Sequence, residues 1–195
     1  MKSFLRVLKW VGIILLVLLI VGFFLPKKSH IERSIVINAQ PMDAFALVNY
    51  LPNWVKWSPW YEMEPSASIV YSSPASGNGA WYTWVGEEIG SGKLTLEKVQ
   101  STTRIDTRIS FEGQGEAEAD FLFKELSENQ VEVTWMFDSE HGMNPIARWF
   151  GLGMDMMLGG DYEKGLANLK REAELAATQS KSGDKVYKAL GDPNF

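Results

Sequence analysis

Hydrophobic and polar residues alternate through the middle of the chain, a pattern typical of β-strands that bury one face. One alternating run precedes residue 40 and six more follow residue 66; they are residues 31–39, 67–71, 80–85, 93–99, 104–111, 116–124 and 130–138. In the sixth run Ala117, Ala119 and Phe121 share one face, and charged residues occupy most of the other. The seven runs therefore predict an antiparallel sheet that is covered on one side only.

Two short helices are predicted between the first and second strands. Residues 41–51 carry apolar side chains at helical spacing, and Pro41 fits a first turn, where its missing N–H costs nothing. Trp54, Trp57 and Trp60 follow at intervals of three, which suits a turn that places its rings under one end of the sheet. These rings either close the core or contact a ligand; we expect Trp57 in the core and Trp60 at a ligand or the membrane surface.

A longer helix is predicted to begin at Ile146, after an Asn144-Pro145 start signal. We expect Gly159-Gly160 to interrupt it. Beyond that point one apolar stripe with helical spacing continues through Tyr162, Leu166, Leu169, Ala173 and Ala176. Residues 178–195 are mainly polar and predict a flexible C-terminal tail.

The first 28 residues form a separate segment, in which residues 10–25 carry no charge. Taken from residue 4, the stretch 4–25 is long enough to cross a bilayer. A cleaved signal peptide is the competing interpretation, but no small-x-small cleavage pattern is present, which favours an uncleaved anchor. Three basic residues, Lys2, Arg6 and Lys9, precede the uncharged residues 10–25 and two follow them, so we expect a single-pass inner-membrane protein with its globular domain on the periplasmic or extracytoplasmic side.

Composition excludes several kinds of function. The chain has no cysteine and two histidines, His30 and His141, so thiolate and multi-histidine metal sites are excluded and no cofactor is expected. The net charge is −5, and the first 28 residues hold five Lys or Arg and no acid, so the rest of the chain carries −10. A domain this acidic repels phosphate backbones, which argues against a nucleic-acid partner.

The order of strand, two short helices, six strands and long helix resembles the START-like (SRPBCC) superfamily, which includes Bet v 1-like proteins and polyketide cyclase/dehydrase and lipid transport proteins. The local sequence resembles its membrane-anchored bacterial members. The residues that carry the resemblance are Ile35-Val36-Ile37-Asn38-Ala39 with Pro41 and Phe45, Trp54-x-x-Trp57-Ser58-Pro59, and Gly165-Leu166-x-Asn168-Leu169-Lys170.

This resemblance implies an α+β helix-grip fold, in which a curved antiparallel sheet of about seven strands wraps around the long C-terminal helix. The START-like domain would occupy residues 29–177, after a transmembrane anchor over residues 1–28. It also implies an apolar cavity between sheet and helix. The small side chains of Ala117 and Ala119, with glycines in the helix, leave room for a ligand there.

Aromatic residues and methionines on the inward faces are the candidate ligand-binding residues. They are Trp60, Tyr82, Trp84, Phe121, Phe123, Trp135, Phe150, Met154, Met157 and Leu158. Plain filling of the core is the competing interpretation for the methionines, because a Met-rich helix is more often packing than binding surface. A small hydrophobic molecule or a lipid is the partner that such a lining would bind.

Asp138, Glu140 and His141 are the candidate catalytic residues, since three ionisable groups fall within four residues at the end of the last strand. A solvated loop is the competing interpretation. We expect membrane-tethered binding of a small hydrophobic or amphipathic ligand, of lipid or quinone type, without chemical conversion. The alternatives are a polyketide cyclase or dehydratase-like enzyme and an envelope protein–protein interaction module.

Overall fold

The computed structural model describes residues 2–113 and 115–189. It contains four α-helices, one 3₁₀ helix and eight strands over these residues. The helices are α1 Lys2–Gly22, α2 Pro41–Asn49, the 3₁₀ helix Leu51–Lys56, α3 Pro59–Met63 and α4 Pro145–Ala189. The strands are β1 Lys28–Ile37, β2 Ser68–Tyr71, β3 Trp81–Val85, β4 Ser91–Gln100, β5 Arg104–Phe111, β6 Gly115–Glu118, β7 Phe121–Ser127 and β8 Gln130–Glu140.

All eight strands belong to one antiparallel sheet, so the α+β helix-grip prediction is confirmed. The strand order is β1-β8-β6-β5-β4-β3-β2, and β7 also pairs with β5 and β8. The predicted strand 116–124 is therefore two strands, β6 and β7, in the same position of the sheet. They separate at Asp120. Its carboxylate accepts a hydrogen bond from the Thr107 backbone N–H (3.0 Å) and pairs with Arg104 (2.6 Å), and these contacts interrupt the regular strand.

The core lies on the face of the sheet that α2, the 3₁₀ helix and α4 cover. The inward residues of β7 and β8 are buried, as their alternation predicts. On α4 the predicted stripe is confirmed through Ala173, but Ala176 is exposed and Ala177 is buried instead. Ala176 and Ala177 lie on opposite sides of the stripe's centre line, so helical periodicity alone does not decide which of the two is buried.

Trp54 and Trp57 join the short helices to the core. Both are about 1% exposed, and their indole N–H groups donate to the backbone carbonyls of Val48 (2.8 Å) and Leu47 (3.1 Å). These carbonyls lie in the last turn of α2, where no backbone N–H of the helix remains to pair with them. Both tryptophans therefore fill the core, which was predicted for Trp57, and both also cap the end of α2.

The predicted interruption at Gly159-Gly160 is wrong, because α4 is continuous across both glycines. Arg33 of β1 spans this part of the helix, where its guanidinium contacts Asp155 (2.8 Å) on one side and Glu163 (2.9 Å) on the other. A Cβ atom at Gly159 would collide with the same guanidinium. Glycine at position 159 therefore lets the Arg33 side chain of β1 approach the helix closely. α4 also continues past residue 177 to Ala189, and residues 190–195 of the predicted tail lie outside the described residues.

We expect Gly165→Ala to destabilise the protein and Gly160→Ala to stabilise it, although both add a good helix former to α4. A Cβ at Gly165 would lie 2.7 Å from the Trp135 ring and 3.1 Å from Pro59, whereas Gly160 has open space. Overpacking costs about 1–3 kcal/mol. The gain in helix propensity is about 1 kcal/mol. Urea unfolding of the two variants measures both signs, and an equal effect of the two substitutions would contradict the close packing at Gly165.

The N-terminal helix α1 is the one described helix that is long and apolar enough to cross a membrane. Its apolar part, Ser3–Gly22, has a mean hydropathy of 2.6 and is exposed from Ser3 to Val21, whereas Gly22 is buried. Only its last turn contacts the domain, where Trp149 of α4 donates to the Leu18 carbonyl (2.9 Å). Arg148 next to it donates to the Phe23 carbonyl (2.5 Å).

Candidate functional site

An apolar cavity lies between the sheet and the α3 segment. Its volume is about 90 Å³, and it opens to solvent. The lining residues are Trp54, Ser58, Trp60, Tyr61, Tyr82, Trp84, Ile89, Leu94, Ile109, Phe111, Ala119 and Trp135. None of them belongs to α4, so the cavity is not between the sheet and the long helix as predicted. Gly151, Gly159 and Gly165 of α4 allow close contacts elsewhere, whereas the small side chain of Ala119 does line the cavity.

Three polar atoms of this lining have no hydrogen-bond partner among the described residues. They are the Ser58 hydroxyl, the Tyr61 hydroxyl and the Trp135 indole N–H, and all three are buried. A buried polar group without a partner costs about 1–3 kcal/mol. Such groups are rare in native proteins, and here they belong to three residues of one cavity lining.

The lining carries no charged side chain. Burial raises the pKa of Tyr61, and the neighbouring Tyr82 and Tyr71 raise it further. The nearby Tyr71 does not lie in hydrogen-bond geometry with Tyr61, so the Tyr61 hydroxyl has no acceptor among the described residues. Burial likewise raises the pKa of Tyr82. Both phenols are therefore neutral at physiological pH and can donate hydrogen bonds, but neither can serve as a base.

One side of the cavity is held in place by a carboxylate. Glu64, directly after α3, accepts hydrogen bonds from the backbone N–H groups of Glu87 (2.8 Å), Glu88 (2.9 Å) and Ile89 (3.1 Å). These bonds lower the pKa of Glu64. The loop between β3 and β4 is thereby fixed to α3, which positions the cavity residues Trp60 and Ile89 relative to one another.

The structure separates the ten predicted ligand-binding residues into four groups. Trp60, Tyr82, Trp84 and Trp135 line the cavity. Phe121, Phe123 and Leu158 pack in or against the core without lining it, and Met154 faces a second cavity near β1. Phe150 and Met157 are exposed on α4, at 65% and 64%. The alternation of the strands does not distinguish the cavity wall from the filled core, because both face inward.

Ser58, Tyr61, Ile89, Leu94, Ile109 and Phe111 line the cavity but were not predicted as site residues. For Ser58 and Tyr61 the sequence does contain a signal. They follow Trp54 at positions i+4 and i+7, which is the spacing of one helical face. The strand residues carry no comparable signal, since the same alternation is found throughout the sheet.

The second cavity, of about 240 Å³, lies between β1 and the start of α4 and is lined by both polar and apolar residues. Its polar groups already have partners. Ser29 donates to the Gly151 carbonyl (2.9 Å), His30 pairs with Asp138 (2.8 Å), and Lys28 pairs with Glu140. This cavity is larger than the first, but none of these groups requires a ligand.

The candidate catalytic residues do not form one site. Asp138 contacts His30, and Glu140 contacts Lys28. His141 contacts Ser29 instead, at 2.7 Å from Nε2 to Oγ. When the Ser29 hydroxyl donates to the Gly151 carbonyl (2.9 Å), His141 Nε2 supplies the proton of the Ser29–His141 hydrogen bond and does not activate the hydroxyl. Among the described residues no group of three His, Cys, Asp or Glu side chains is placed to hold a metal ion.

We expect the pKa of His30 to lie above 6.5 and to fall toward that value in Asp138→Asn, because the hydrogen bond to Asp138 is the main cause of the shift. A raised pKa means that the pair stabilises the fold fully below pH 6.5, and that this contribution is lost as the pH rises through the folded-state pKa. An NMR titration of the imidazole measures the shift. Glu140→Gln is the control, since Glu140 pairs with Lys28; an unchanged His30 pKa in Asp138→Asn would contradict the assignment.

A model of the family described as polyketide cyclase/dehydrase and lipid transport matches residues 28–174. The protein belongs to this family. The match begins at β1 and ends within α4, so it includes the whole sheet and every residue of the apolar cavity. A comparison with curated proteins finds no match. Membership confirms the START-like interpretation of the sequence.

Solved structures share the fold of this family member at low sequence identity. A Staphylococcus aureus protein of unknown function is 11% identical, with a TM-score of 0.57 over 78% of this chain and 98% of that one. The di-domain ARO/CYC BexL from the BE-7585A biosynthetic pathway is 16% identical, with a TM-score of 0.56 over 75% of this chain and 46% of that one. Ara h 8.0201 is 11% identical, with a TM-score of 0.51 over 73% and 97%. These identities show the fold alone.

Proposed function

We propose that the protein is a membrane-tethered binder of a small, neutral, amphipathic molecule, and that the apolar cavity holds the polar end of this ligand. The observation that carries the proposal is that three residues lining one apolar cavity, Ser58, Tyr61 and Trp135, each have a buried side-chain polar atom without a partner. The indole N–H donates only, so the ligand must present an acceptor oxygen, such as a carbonyl, quinone or hydroxyl oxygen.

The lining favours an uncharged ligand. A carboxylate or phosphate would lose its hydration there without meeting any Lys or Arg side chain of the lining, and a buried unpaired charge is far more costly than a buried dipole. The aromatic rings of Trp60, Trp84 and Trp135 supply flat apolar surface for the ligand body. A neutral lipid or a quinone fits this description.

The same lining favours binding over chemical conversion. General acid–base catalysis needs a group whose pKa lies near the working pH. Raised pKa values remove Tyr61 and Tyr82 from that range, and no carboxylate or histidine lines the cavity. A cyclase would have to act by shaping its substrate, with the phenols as neutral hydrogen-bond donors.

The volume limits how the ligand is held. Ligand pockets usually measure about 300–1,000 Å³. A cavity of about 90 Å³ encloses only the end of such a molecule, so the remainder lies at the open mouth or displaces the half-buried Trp60. Recognition is then concentrated in the polar end group, and the length of the apolar part is weakly selected.

Tyr61→Phe tests the proposal because the hydroxyl has no partner in the protein itself. We expect the substitution to weaken ligand binding about tenfold, the value of one hydrogen bond, and to leave the free energy of unfolding unchanged or slightly higher. Native mass spectrometry and lipid extraction of full-length protein in mild detergent measure ligand occupancy. Tyr50→Phe, at an exposed position outside the cavity, is the matched control.

Ala119→Leu tests whether the cavity is the binding site, because the larger leucine side chain occupies the cavity. We expect occupancy to fall in this variant as well. If neither variant changes the amount of bound molecule, the cavity is not the binding site. If the wild-type protein retains no neutral lipid or quinone and binds none when it is added, ligand binding itself is refuted.

A further inference from the structure

The first half of α4 exposes an apolar face. Its large side chains recur at helical spacing and point away from the domain; they are Met143, just before the helix, and Ile146, Trp149, Phe150, Leu152, Met156 and Met157. Phe150 is 65% exposed and Met156 is 90% exposed. A contiguous apolar surface of this kind is unusual in a soluble domain and marks a place of contact. These seven residues are called the α4 apolar face below.

The α4 apolar face is continuous with the lipid-facing surface of α1. Trp149 donates its indole N–H to the Leu18 carbonyl, one turn before the end of α1. A Cβ at Gly22 would lie 2.8 Å from Pro145, so the two helices touch where α4 begins. The aromatic residues Phe23 and Phe24 are exposed at the same end of the molecule, at 48% and 84%.

Charge supports a lipid surface as the occupant. Residues 142–157 contain one acid, Asp155, which pairs with Arg33 of β1, and one basic residue, Arg148, whose side chain is buried and directed to backbone carbonyls. The surface that remains is apolar with aromatic residues, the composition found where proteins meet the boundary between headgroups and acyl chains.

We propose that the α4 apolar face docks on the same leaflet from which α1 emerges, and inserts Phe150 and Met156 into the boundary between headgroups and acyl chains. This inference rests on the membrane tether of the proposed function but not on ligand binding. α1 holds the domain at the membrane, and the α4 apolar face sets its orientation there. Phe150 and Met157 thus contact lipid, although the sequence indicated a role in the ligand cavity.

The absence of cysteine from the chain allows single labels to be placed without other changes. Phe150→Cys and Met156→Cys carry an environment-sensitive fluorophore on the α4 apolar face, Val70→Cys carries it on an exposed apolar position of β2, and Ile14→Cys carries it in α1. Full-length proteins are inserted in phosphatidylcholine–phosphatidylglycerol vesicles with and without nitroxide lipid. Because a face buried at this boundary lies within the reach of the quencher, we expect at least about twofold quenching at positions 14, 150 and 156 and none at 70.

A double variant of the α4 apolar face tests the docking without moving the label. Phe150→Glu with Met157→Glu, both exposed and therefore compatible with folding, is expected to abolish the quenching of a label at 156 while a label at 14 stays quenched. Quenching at 14 without quenching at 150 and 156 overturns the docking inference and leaves the tether intact. No quenching at 14 overturns the tether and the inference together. Protection of 150 and 156 from aqueous iodide without lipid quenching also overturns the inference, because a second copy or another protein then covers the face.

Discussion

Replacing Trp57 by alanine is expected to lower the free energy of unfolding by about 3–5 kcal/mol. The indole is about 1% exposed and packs against Trp54 (ring centroids 4.6 Å apart) and Trp135 (5.5 Å). The substitution removes this packing and also leaves the Leu47 carbonyl without its donor. Urea unfolding of the full-length protein in detergent, followed by circular dichroism, measures the loss.

Two further substitutions separate the contributions of Trp57. Trp57→Phe keeps most of the apolar burial and removes the indole N–H, so its cost of about 1–3 kcal/mol isolates the cap on α2. Trp81→Ala is the control, since Trp81 is partly exposed on β3 and packs against the Lys93 ammonium group; its cost should not exceed about 1 kcal/mol. A Trp57→Ala cost no larger than that of Trp81→Ala would refute the role in closing the core.

Replacing Arg148 by methionine is expected to cost about 2–4 kcal/mol, because buried hydrogen bonds from a charged donor are lost while the carbonyls stay buried. The guanidinium is 2% exposed and donates to the carbonyls of Gly142 (2.6 Å) and Phe23 (2.5 Å). No carboxylate forms an ion pair with Arg148 among the residues that the structure describes. Its hydrogen bonds therefore join the end of α1 to the start of α4.

Hydrogen exchange identifies where the loss occurs. We expect faster exchange of the backbone amides of residues 23–28 and 141–146 in Arg148→Met, because these segments lose their shared donor. Arg171→Met is the matched control, since Arg171 lies on the exposed side of α4 and contacts only neighbouring side chains of the same helix. Equal exchange in both variants would show that the Arg148 contacts contribute nothing to the connection.

The sequence predicts the sheet well because period-two alternation reports directly which face is buried. β5 and β8 follow the predicted boundaries within two residues. The split of residues 116–124 could not be predicted, because it depends on Asp120 contacting Thr107 and Arg104 of another strand. The continuity of α4 at Gly159 likewise depends on a distant residue, because Arg33 of β1 contacts the helix there. In each case a contact between distant parts of the chain overrides local preference.

The site is less predictable than the fold because the sequence does not show where the packed interior leaves empty space. Phe121 and Tyr82 have the same inward pattern, yet one packs in the filled core and the other lines the cavity. Which inward residues border empty space depends on how the helices sit over the sheet, and periodicity carries no information on this. The unpartnered state of Trp135 Nε1 is likewise visible only once its neighbours are known.

The short connection between α1 and β1 limits how far the domain can travel. α1 ends at Gly22 and β1 begins at Lys28, so residues 23–27 span at most about 18 Å even when fully extended. With α1 in a bilayer, the domain could not carry cargo across to an opposing membrane. Exchange would be confined to the adjacent leaflet or would require a second, diffusing carrier.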